Sequence, residues 1–293
     1  MNIDAVFSGG GVKAFGLIGA LQSIEDNGFN IVRSAGTSAG AILSSLIAAN
    51  YSSKEIKQMF TTLPIEQFLD PPKMTNILPV SKWYFLYFKM GFYKGNKLEK
   101  WLEDVLAKKN VRTFGDLPDG SLKMIVTDLT LKQLVILPDD LDDLYGINPK
   151  DFSVAKAVRI SAGFPLAFMP KKIFNNKLNN ESILVDGGVV SNFPLWIFEK
   201  DHERKIRPVL GVKLAGSAEE TIIKNSADLL QALLATMKQS HDERFIHKYI
   251  KDVVFIPIHD VDTLNVNLSE EKKLEMINRG KKLTDLFLQN WPK

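Results

Sequence analysis

The chain has 293 residues, of which 45% are hydrophobic and 24% are charged, a composition typical of a globular protein with a sizeable core. Its 37 basic and 34 acidic residues leave a net charge of only +3, so the concentrated basic surface of a nucleic-acid binder is not expected. The absence of cysteine excludes disulfides, thiolate metal sites and thiol nucleophiles.

The first predicted elements form a strand–loop–helix unit that occurs twice. Residues 3–7 predict a buried strand that ends at three successive glycines, and apolar residues at helical spacing follow over 14–24. A second short strand begins at residue 31 and is broken at Gly36. The run of small and apolar residues over 39–50 then predicts a closely packed helix.

The rest of the chain continues this alternation. Further helices are predicted at 53–62, 97–110, 151–161, about 226–250 and 269–289, and further strands at 122–127, 133–137, 182–185, 207–214 and 253–257. Such alternation with short connections favours a mainly parallel sheet covered on both faces. We therefore expect one domain over residues 1–293, with an aromatic-rich insertion or cap at about 64–95 and a C-terminal helical extension at about 218–293.

A G-x-S-x-G motif occupies residues 36–40, between the second predicted strand and its helix. A serine on so sharp a turn has an exposed hydroxyl, the flanking glycines remove side chains that would clash, and the helix N-terminus favours developing negative charge. Ser38 is therefore the candidate nucleophile. The alternative is a glycine–serine turn that only caps a helix.

The glycines at positions 9, 10 and 11 end the first predicted strand. Their backbone N–H groups can turn together toward one oxygen atom, as an oxyanion hole requires. The same segment, Gly9-x-Gly11-x-x-Ala14, also fits the fingerprint of a dinucleotide site. The acidic residue that this fingerprint expects after the second strand is missing, although Arg33 would suit a 2′-phosphate.

Asp186 closes a predicted strand and is followed by two glycines, which places its carboxylate at a sheet edge with no side chain in front of it. The alternative is an ordinary Asp-Gly turn. The four histidines are His202, His241, His247 and His259. None of them is set in a glycine-rich turn like those of Ser38 and Asp186, so each is predicted to be a surface residue. A Ser38–Asp186 dyad is the simpler arrangement, and a triad using His241 or His259 is the alternative.

The densest aromatic stretch of the chain is the run WYFLYF at residues 83–88. Met90, Phe92 and Tyr93 follow soon after, and lysines are interleaved. Rings and lysine stems together suit a segment that docks at a membrane interface. They also suit core residues beneath a cap subdomain, and the sequence leaves both interpretations open.

Three blocks of the sequence, taken in order, resemble the patatin-like phospholipase family. The family's glycine-rich oxyanion loop is similar to residues 8–13, its nucleophile elbow to residues 36–40 and its Asp-Gly motif to residues 186–188. The resemblance is specific because these motifs occur together and in the right order.

Further blocks similar to the family lie at residues 127–129, 157–165 and 192–194, so the resemblance covers roughly residues 3–214. Two departures stand out. Ala14 replaces a glycine that is usual in the oxyanion loop, and residues 160–164 match the family pattern loosely.

The resemblance implies a three-layer α/β/α sandwich and a serine–aspartate dyad that needs neither metal nor cofactor. Carried onto this chain, Ser38 attacks the ester carbonyl, Asp186 accepts its proton and later activates water, and the three glycines hold the oxyanion. Lys13 and Ala39 are further candidates for contact with substrate.

The expected function is that of a lipid acyl hydrolase, either of the phospholipase A type or a nonspecific carboxylester hydrolase. Its substrate would be a phospholipid or another acyl-ester lipid, and a membrane surface would be a peripheral partner. The alternatives are a catalytically silent lipid-binding protein of the same fold and a dinucleotide-binding oxidoreductase.

The sequence predicts neither a cleaved export signal nor a membrane-spanning helix. The N-terminus lacks a basic segment followed by a long apolar one, and no uncharged apolar run reaches about 18 residues. We therefore expect a cytoplasmic or peripheral membrane location.

Overall fold

The structure is a computed structural model, and it describes residues 1–72, 81–198, 207–215, 223–224, 226–259, 261 and 266–291. The strands are β1 (Asn2–Phe7), β2 (Asn30–Gly36), β3 (Gly91–Tyr93), β4 (Leu122–Asp128), β5 (Gln133–Leu137), β6 (Leu166–Phe168), β7 (Lys171–Asn175), β8 (Asn180–Asp186), β9 (Val209–Ala215) and β10 (Val253–Pro257). The helices are α1 (Phe15–Asp26), α2 (Ala39–Ala48), α3 (Ser53–Thr62), α4 (Ser81–Lys89), α5 (Asn96–Ala107), α6 (Leu141–Tyr145), α7 (Val154–Ser161), α8 (Ser226–Tyr249) and α9 (Glu270–Leu288). Each predicted element is present, and β3, β6, β7, α4 and α6 are additions that the sequence patterns did not predict.

Eight strands form one sheet in the order β10-β9-β1-β2-β4-β8-β7, with β5 paired to β4. The five strands from β10 to β4 run parallel. Strands β5, β8 and β7 are antiparallel to their neighbours, so the sheet changes character at β4. The prediction of a mainly parallel sheet is confirmed, with an antiparallel portion beyond β4. Strands β3 and β6 form a separate ribbon.

Alternate side chains of the central strands point to opposite faces of the sheet, as strand geometry requires. Phe7 and Met124 belong to the larger buried cluster, together with residues of α1, α2, α5, α7 and α9. Val6 and Ile125, their neighbours in sequence, belong to a second cluster with residues 195–198 and the end of α8. Two apolar cores on opposite faces of one sheet confirm the expected three-layer sandwich.

The C-terminal segment completes this architecture. Strand β10 pairs with β9 at the sheet edge, so the predicted helical extension contains a strand of the main sheet. Helix α9 packs against α1 so closely that a Cβ added to Gly280 would overlap the carbonyl of Gly16. A Cβ added to Gly19 would likewise overlap the carbonyl of Ile277. The two helices approach at backbone distance because glycine has no side chain there.

The predicted insertion carries α4, and three of the rings on this helix point outward. Tyr84, Tyr87 and Phe88 are 54%, 79% and 59% exposed. The interpretation of these three rings as core residues is therefore wrong, and the side chain of Trp83 lies outside the described residues.

Across the described ranges, no helix combines the length and the apolar character that a bilayer span would require.

Candidate active site

Ser38 lies on the turn between β2 and α2. Its backbone has φ 54° and ψ −121°, a conformation that residues with a side chain rarely adopt. A Cβ on Gly36 would overlap the backbone of Gly40, and a Cβ on Gly40 would overlap the carbonyl of Phe7 at the end of β1. Only glycine fits at these two positions, so the local structure is the tight serine turn that the G-x-S-x-G motif predicts.

Strands β2 and β8 end beside each other along one edge of β4. Gly36 at the end of β2 pairs with Met124, and Asp186 at the end of β8 pairs with Val126. Both strands must occupy the same edge, because β5 pairs with Met124 and Val126 along the opposite edge. Two residues of a strand span about 7 Å, so the serine turn and Asp186 start from neighbouring positions.

Ser161, the last residue of α7, lies between these two strand ends and is fully buried. Its hydroxyl donates to the carbonyl of Ile125 at 2.7 Å and accepts the backbone N–H of Ser38 at 3.1 Å. Ile125 lies between the two residues of β4 that face the strand ends. Ser161 therefore fixes the serine turn to the central strand, a role that sequence analysis did not assign although the residue lies in a family-like block.

Asp186 is 2% exposed and is held from both sides. Its Oδ1 accepts the backbone N–H of Gly188 at 2.7 Å, and its own N–H donates to the carbonyl of Gly163 at 3.1 Å. A Cβ on Gly187 would overlap the carbonyl of Ile125. The two glycines after Asp186 thus serve a close packing against β4 and a turn that orients the carboxylate.

The glycine loop is bound to Asn192. The N–H of Gly9 donates to the carbonyl of Asn192 at 2.9 Å, and the side-chain amide of Asn192 donates back to the carbonyl of Gly9 at 3.2 Å. The expectation that all three glycines supply N–H groups to an oxyanion therefore needs correction at Gly9, whose N–H is already used. Gly10 and Gly11 are the remaining candidates, and Gly11 has the left-handed φ of 53° that favours glycine.

The side chain of Asn192 also lies beside the glycine that follows the Asp-Gly step. A Cβ on Gly9 would overlap Asn192 Oδ1 and lie 3.2 Å from the Cβ of Ser38. A Cβ on Gly188 would lie 3.0 Å from Asn192 Oδ1 and 3.0 Å from Asp186 Oδ1. Asn192 Oδ1 therefore lies beside both the glycine loop and the Asp-Gly-Gly turn, and the glycine loop also approaches Ser38.

A buried acid from the C-terminal part of the chain supports this arrangement. Asp242 of α8 accepts the hydroxyl of Ser191 at 2.9 Å and the backbone N–H of Asn192 at 3.0 Å, and it is 2% exposed. The carbonyl of Ser191 in turn accepts the hydroxyl of Thr37, the residue before Ser38. Asp242 lies in a charged helical run, and no feature of that run distinguishes it from a surface residue.

Arg159 of α7 joins the site to the segment that follows α4. Its guanidinium donates to the carbonyls of Lys94, Gly95 and Met169 at 2.7–3.0 Å. Burial lowers the pKa of Arg159 to about 10, and nearby carboxylates, Asp186 among them, oppose that decrease. The group is therefore charged at neutral pH, and it lies near enough to Asp186 for the two charges to interact.

The other predicted positions are more dispersed. Lys13 lies in the short 3-10 turn Gly11–Ala14, and Ala39 opens α2 directly after Ser38. His247 and His259 are exposed, whereas the side chains of His202 and His241 lie outside the described residues.

Arg33, considered above for a 2′-phosphate, is engaged within the sheet. It donates to the fully buried carboxylate of Asp4 at 2.6 Å, and Arg207 binds the other oxygen of that carboxylate at 2.9 Å. Its pairing with a buried acid weakens the dinucleotide interpretation.

A cleft of about 280 Å³ lies away from these residues. The start of β2, the end of α2 and the loop before β4 line it, whereas Ser38 follows the opposite end of β2. The cleft is therefore separate from the candidate active site.

Comparison with known proteins places this arrangement in a family. The family model described as patatin-like phospholipase matches residues 5–199. The protein YqhO of Bacillus subtilis is 45% identical over 295 residues, which cover 99% of each chain. A protein of Invertebrate iridescent virus 6, named probable lipid hydrolase 463L, is 25% identical over 96% of this chain and 87% of its own.

Solved structures share the fold. VipD from Legionella pneumophila superposes with a TM-score of 0.60 at 19% identity, over 98% of this chain and 67% of VipD. ExoU from Pseudomonas aeruginosa, in complex with SpcU, superposes with a TM-score of 0.53 at 17% identity, over 98% of this chain and 52% of ExoU. These low identities establish the fold alone. Since the family model spans more than half of the sequence and includes the serine turn, the Asp-Gly-Gly turn and the glycine loop, the chain belongs to the patatin-like phospholipase family.

Proposed function

We propose that this protein is a lipid acyl hydrolase, of the phospholipase A type or a nonspecific carboxylester hydrolase, with Ser38 and Asp186 as its catalytic dyad. The observation that carries the proposal is that β2 and β8 meet on one edge of β4. The end of β2, two residues before Ser38, therefore lies next to Asp186 at the end of β8. Family membership agrees with it, and so does the name of the viral relative, probable lipid hydrolase.

In the first half-reaction, the Ser38 hydroxyl attacks the ester carbonyl carbon while Asp186 accepts the hydroxyl proton. The carbonyl oxygen becomes an oxyanion, which the N–H groups of Gly10 and Gly11 stabilise together with the N-terminus of α2. Collapse of this tetrahedral intermediate breaks the bond to the leaving alcohol. Asp186 returns the proton to that alcohol, and an acyl group remains on Ser38.

In the second half-reaction, Asp186 deprotonates a water molecule that attacks the acyl-enzyme. The new oxyanion occupies the same site, the bond to Ser38 breaks, and Asp186 returns the proton to the serine oxygen. The products are one carboxylic acid and one alcohol for each ester and each water consumed. The two half-reactions therefore need no redox step and no reactant other than the ester and water.

The dyad is tested with the variants Ser38→Ala and Asp186→Asn on p-nitrophenyl butyrate and on phosphatidylcholine. Each variant should lose turnover by about 10³-fold or more, because removing either group removes the nucleophile or its base. A fluorophosphonate probe should label the wild-type protein and fail to label Ser38→Ala. Suitable controls are Ser52→Ala, which removes only the cap of α3, and Asp119→Asn on an exposed loop.

Full turnover in either dyad variant would refute the mechanism. Binding of phospholipid without turnover of any ester would support the silent lipid-binding alternative, and quenching of a reduced dinucleotide's fluorescence would support an oxidoreductase. If turnover persists in Asp186→Asn but is lost in His259→Ala or His241→Ala, a histidine serves as the base. Analysis of the acids and lysolipids released from phosphatidylcholine separates a phospholipase A from a nonspecific esterase.

A further inference from the structure

Helix α4 presents a patch of aromatic rings to solvent. Tyr84 and Phe88 pack in a tilted arrangement with ring centroids 4.7 Å apart, and Tyr87 packs against Phe88 at 4.9 Å. More than half of the surface of each of these three side chains is exposed, and Met90 beyond the helix is exposed as well. Rings of this size normally bury most of their surface, so a contiguous exposed group indicates a surface that meets a partner.

The charged residues of the segment that contains this patch are all positive. Residues 71–98 contain five lysines and no aspartate or glutamate. This segment carries more positive charge than the whole chain, whose net charge is +3, so the remainder of the chain is net negative. Lys89, which follows Phe88 in the sequence, and Lys94, just after β3, are both exposed. Apolar rings set among lysines complement a surface of lipid headgroups that is negatively charged and has an apolar layer just beneath.

The patch is connected to the candidate active site through short, well-held elements. Strand β3 follows α4 directly and pairs with β6. The carbonyls of Lys94, just after β3, and Met169, just after β6, both accept hydrogen bonds from the buried guanidinium of Arg159. Arg159 lies on α7, one half-turn before the serine that holds the Ser38 turn. Arg159 therefore attaches the segments that follow β3 and β6 to α7, the helix whose last residue binds the serine turn.

We propose that α4 and its flanking lysines form a docking surface for anionic phospholipid bilayers, an inference that rests on the proposed lipid hydrolase function. The rings of Tyr84, Tyr87 and Phe88 enter the headgroup layer, and Lys89 and Lys94 bind lipid phosphates. Docking through this helix brings the hydrolase to the membrane that contains its substrate.

Binding is measured in the full chain with Ser38→Ala, so that lipid is not consumed, by co-sedimentation with vesicles of phosphatidylcholine and phosphatidylglycerol. Adding Tyr87→Ser and Phe88→Ser together should weaken binding about tenfold or more, and Lys89→Glu should do the same. The matched controls are Phe174→Ser, an exposed ring on β7, and Lys108→Glu, an exposed lysine after α5. Both controls should bind like the parent. Vesicles of phosphatidylcholine alone, or high salt, should also reduce binding.

Two further measurements separate this inference from the proposed function. In the catalytically intact chain, Tyr87→Ser with Phe88→Ser should leave turnover of soluble p-nitrophenyl butyrate and the Tm unchanged, while hydrolysis of vesicle lipid falls. Absence of soluble-ester turnover in the wild-type protein would refute the proposed function but would leave the binding result unaffected. Binding that is equal in the α4 variants and the controls, absent from all vesicles, or lost together with a large decrease in Tm would overturn the docking surface.

Discussion

The region that matches the family model, residues 5–199, and the C-terminal third of the chain contribute to the site in different ways. The first region carries the proposed nucleophile, the proposed base and the glycine loop, each in a recognisable motif. The second carries no such motif, yet it adds β10 to the sheet, packs α9 against α1 and supplies Asp242 to the loop that holds Gly9. The chemistry lies in one region and part of its support lies in the other.

The difference follows from what each task demands of a residue. A strained serine turn or an Asp-Gly-Gly turn restricts both residue type and backbone conformation, so it leaves a pattern in the sequence. A supporting carboxylate needs only to reach a nearby N–H or hydroxyl, and many positions on a helix can do so. Supporting residues are therefore found from coordinates rather than from motifs.

The largest effect on stability should come from adding a single methyl group at Gly280. In an exposed helix, Gly→Ala stabilises by up to about 1 kcal/mol through helix propensity. Here the new Cβ would overlap the carbonyl of Gly16, so Gly280→Ala should instead lower the free energy of unfolding by about 3 kcal/mol. Urea denaturation measures the change, and Asn278→Ala, exposed on the same helix, provides the control.

The sign of that change decides between two pictures of the C-terminal third. A decrease confirms that α9 is part of the main core. An increase in stability at Gly280→Ala, comparable to that at Asn278→Ala, would mean that α9 does not approach α1 at backbone distance and that the C-terminal third is an appendage.

A smaller effect is expected at Asp242, and it should appear mainly in catalysis. Asp242→Asn keeps the shape of the side chain but removes the charge that strengthens its bonds to Ser191 and Asn192. Because Asn192 binds both backbone groups of Gly9, the glycine loop should lose its alignment, and kcat on a soluble ester should fall about tenfold.

The neighbouring variant Glu243→Gln removes one negative charge from an exposed position of the same helix and should retain wild-type kcat. If the two variants have equal turnover, Asp242 serves stability alone. A change in KM without a change in kcat would show that the loop affects substrate binding and not the oxyanion.

Much of the framework could be predicted from the sequence because it depends on local patterns. The apolar runs of β1, β4 and β9 and the helical spacing in α1 and α5 gave the elements within a few residues. The glycines around Ser38 and after Asp186 indicated tight turns, and the structure shows why larger residues do not fit there. Strands β3 and β6 have three residues each, too few for a periodic pattern to show.

What could not be predicted depends on contacts between residues far apart in sequence. The N–H of Gly9 donates to the carbonyl of Asn192, a residue far away in the sequence. Three glycines in a row therefore suggested one more oxyanion donor than the fold leaves available. The change from parallel to antiparallel pairing at β4, which brings Asp186 beside the serine turn, leaves no local signal. Exposure of the aromatic rings on α4 was equally undetermined, because burial depends on what packs against the helix.

The smallest predicted effect concerns the polar contacts between α9 and α1. Asp285 accepts the hydroxyl of Ser23 at 2.6 Å and the amide of Asn27 at 3.2 Å, and Lys281 lies 3.4 Å away. Burial alone would raise the pKa of Asp285, but the bond from Ser23 and the charge of Lys281 outweigh it, so the pKa is lowered from its ordinary value of 3.8.

A carboxyl group whose pKa is lower in the folded than in the unfolded chain stabilises the fold in its ionised form. That contribution is complete above the ordinary carboxyl pKa and is lost as the pH falls through the lower, folded value. Asp285→Asn should therefore reduce the Tm by about 1–2 °C near neutral pH, since the group is partly exposed, and the difference should shrink in acid. Thermal unfolding at about pH 7 and about pH 3, with Asp119→Asn as the control, measures it. A Tm difference that stays the same at both pH values would show that these bonds hold α9 to α1 through their shape and not through the charge of Asp285.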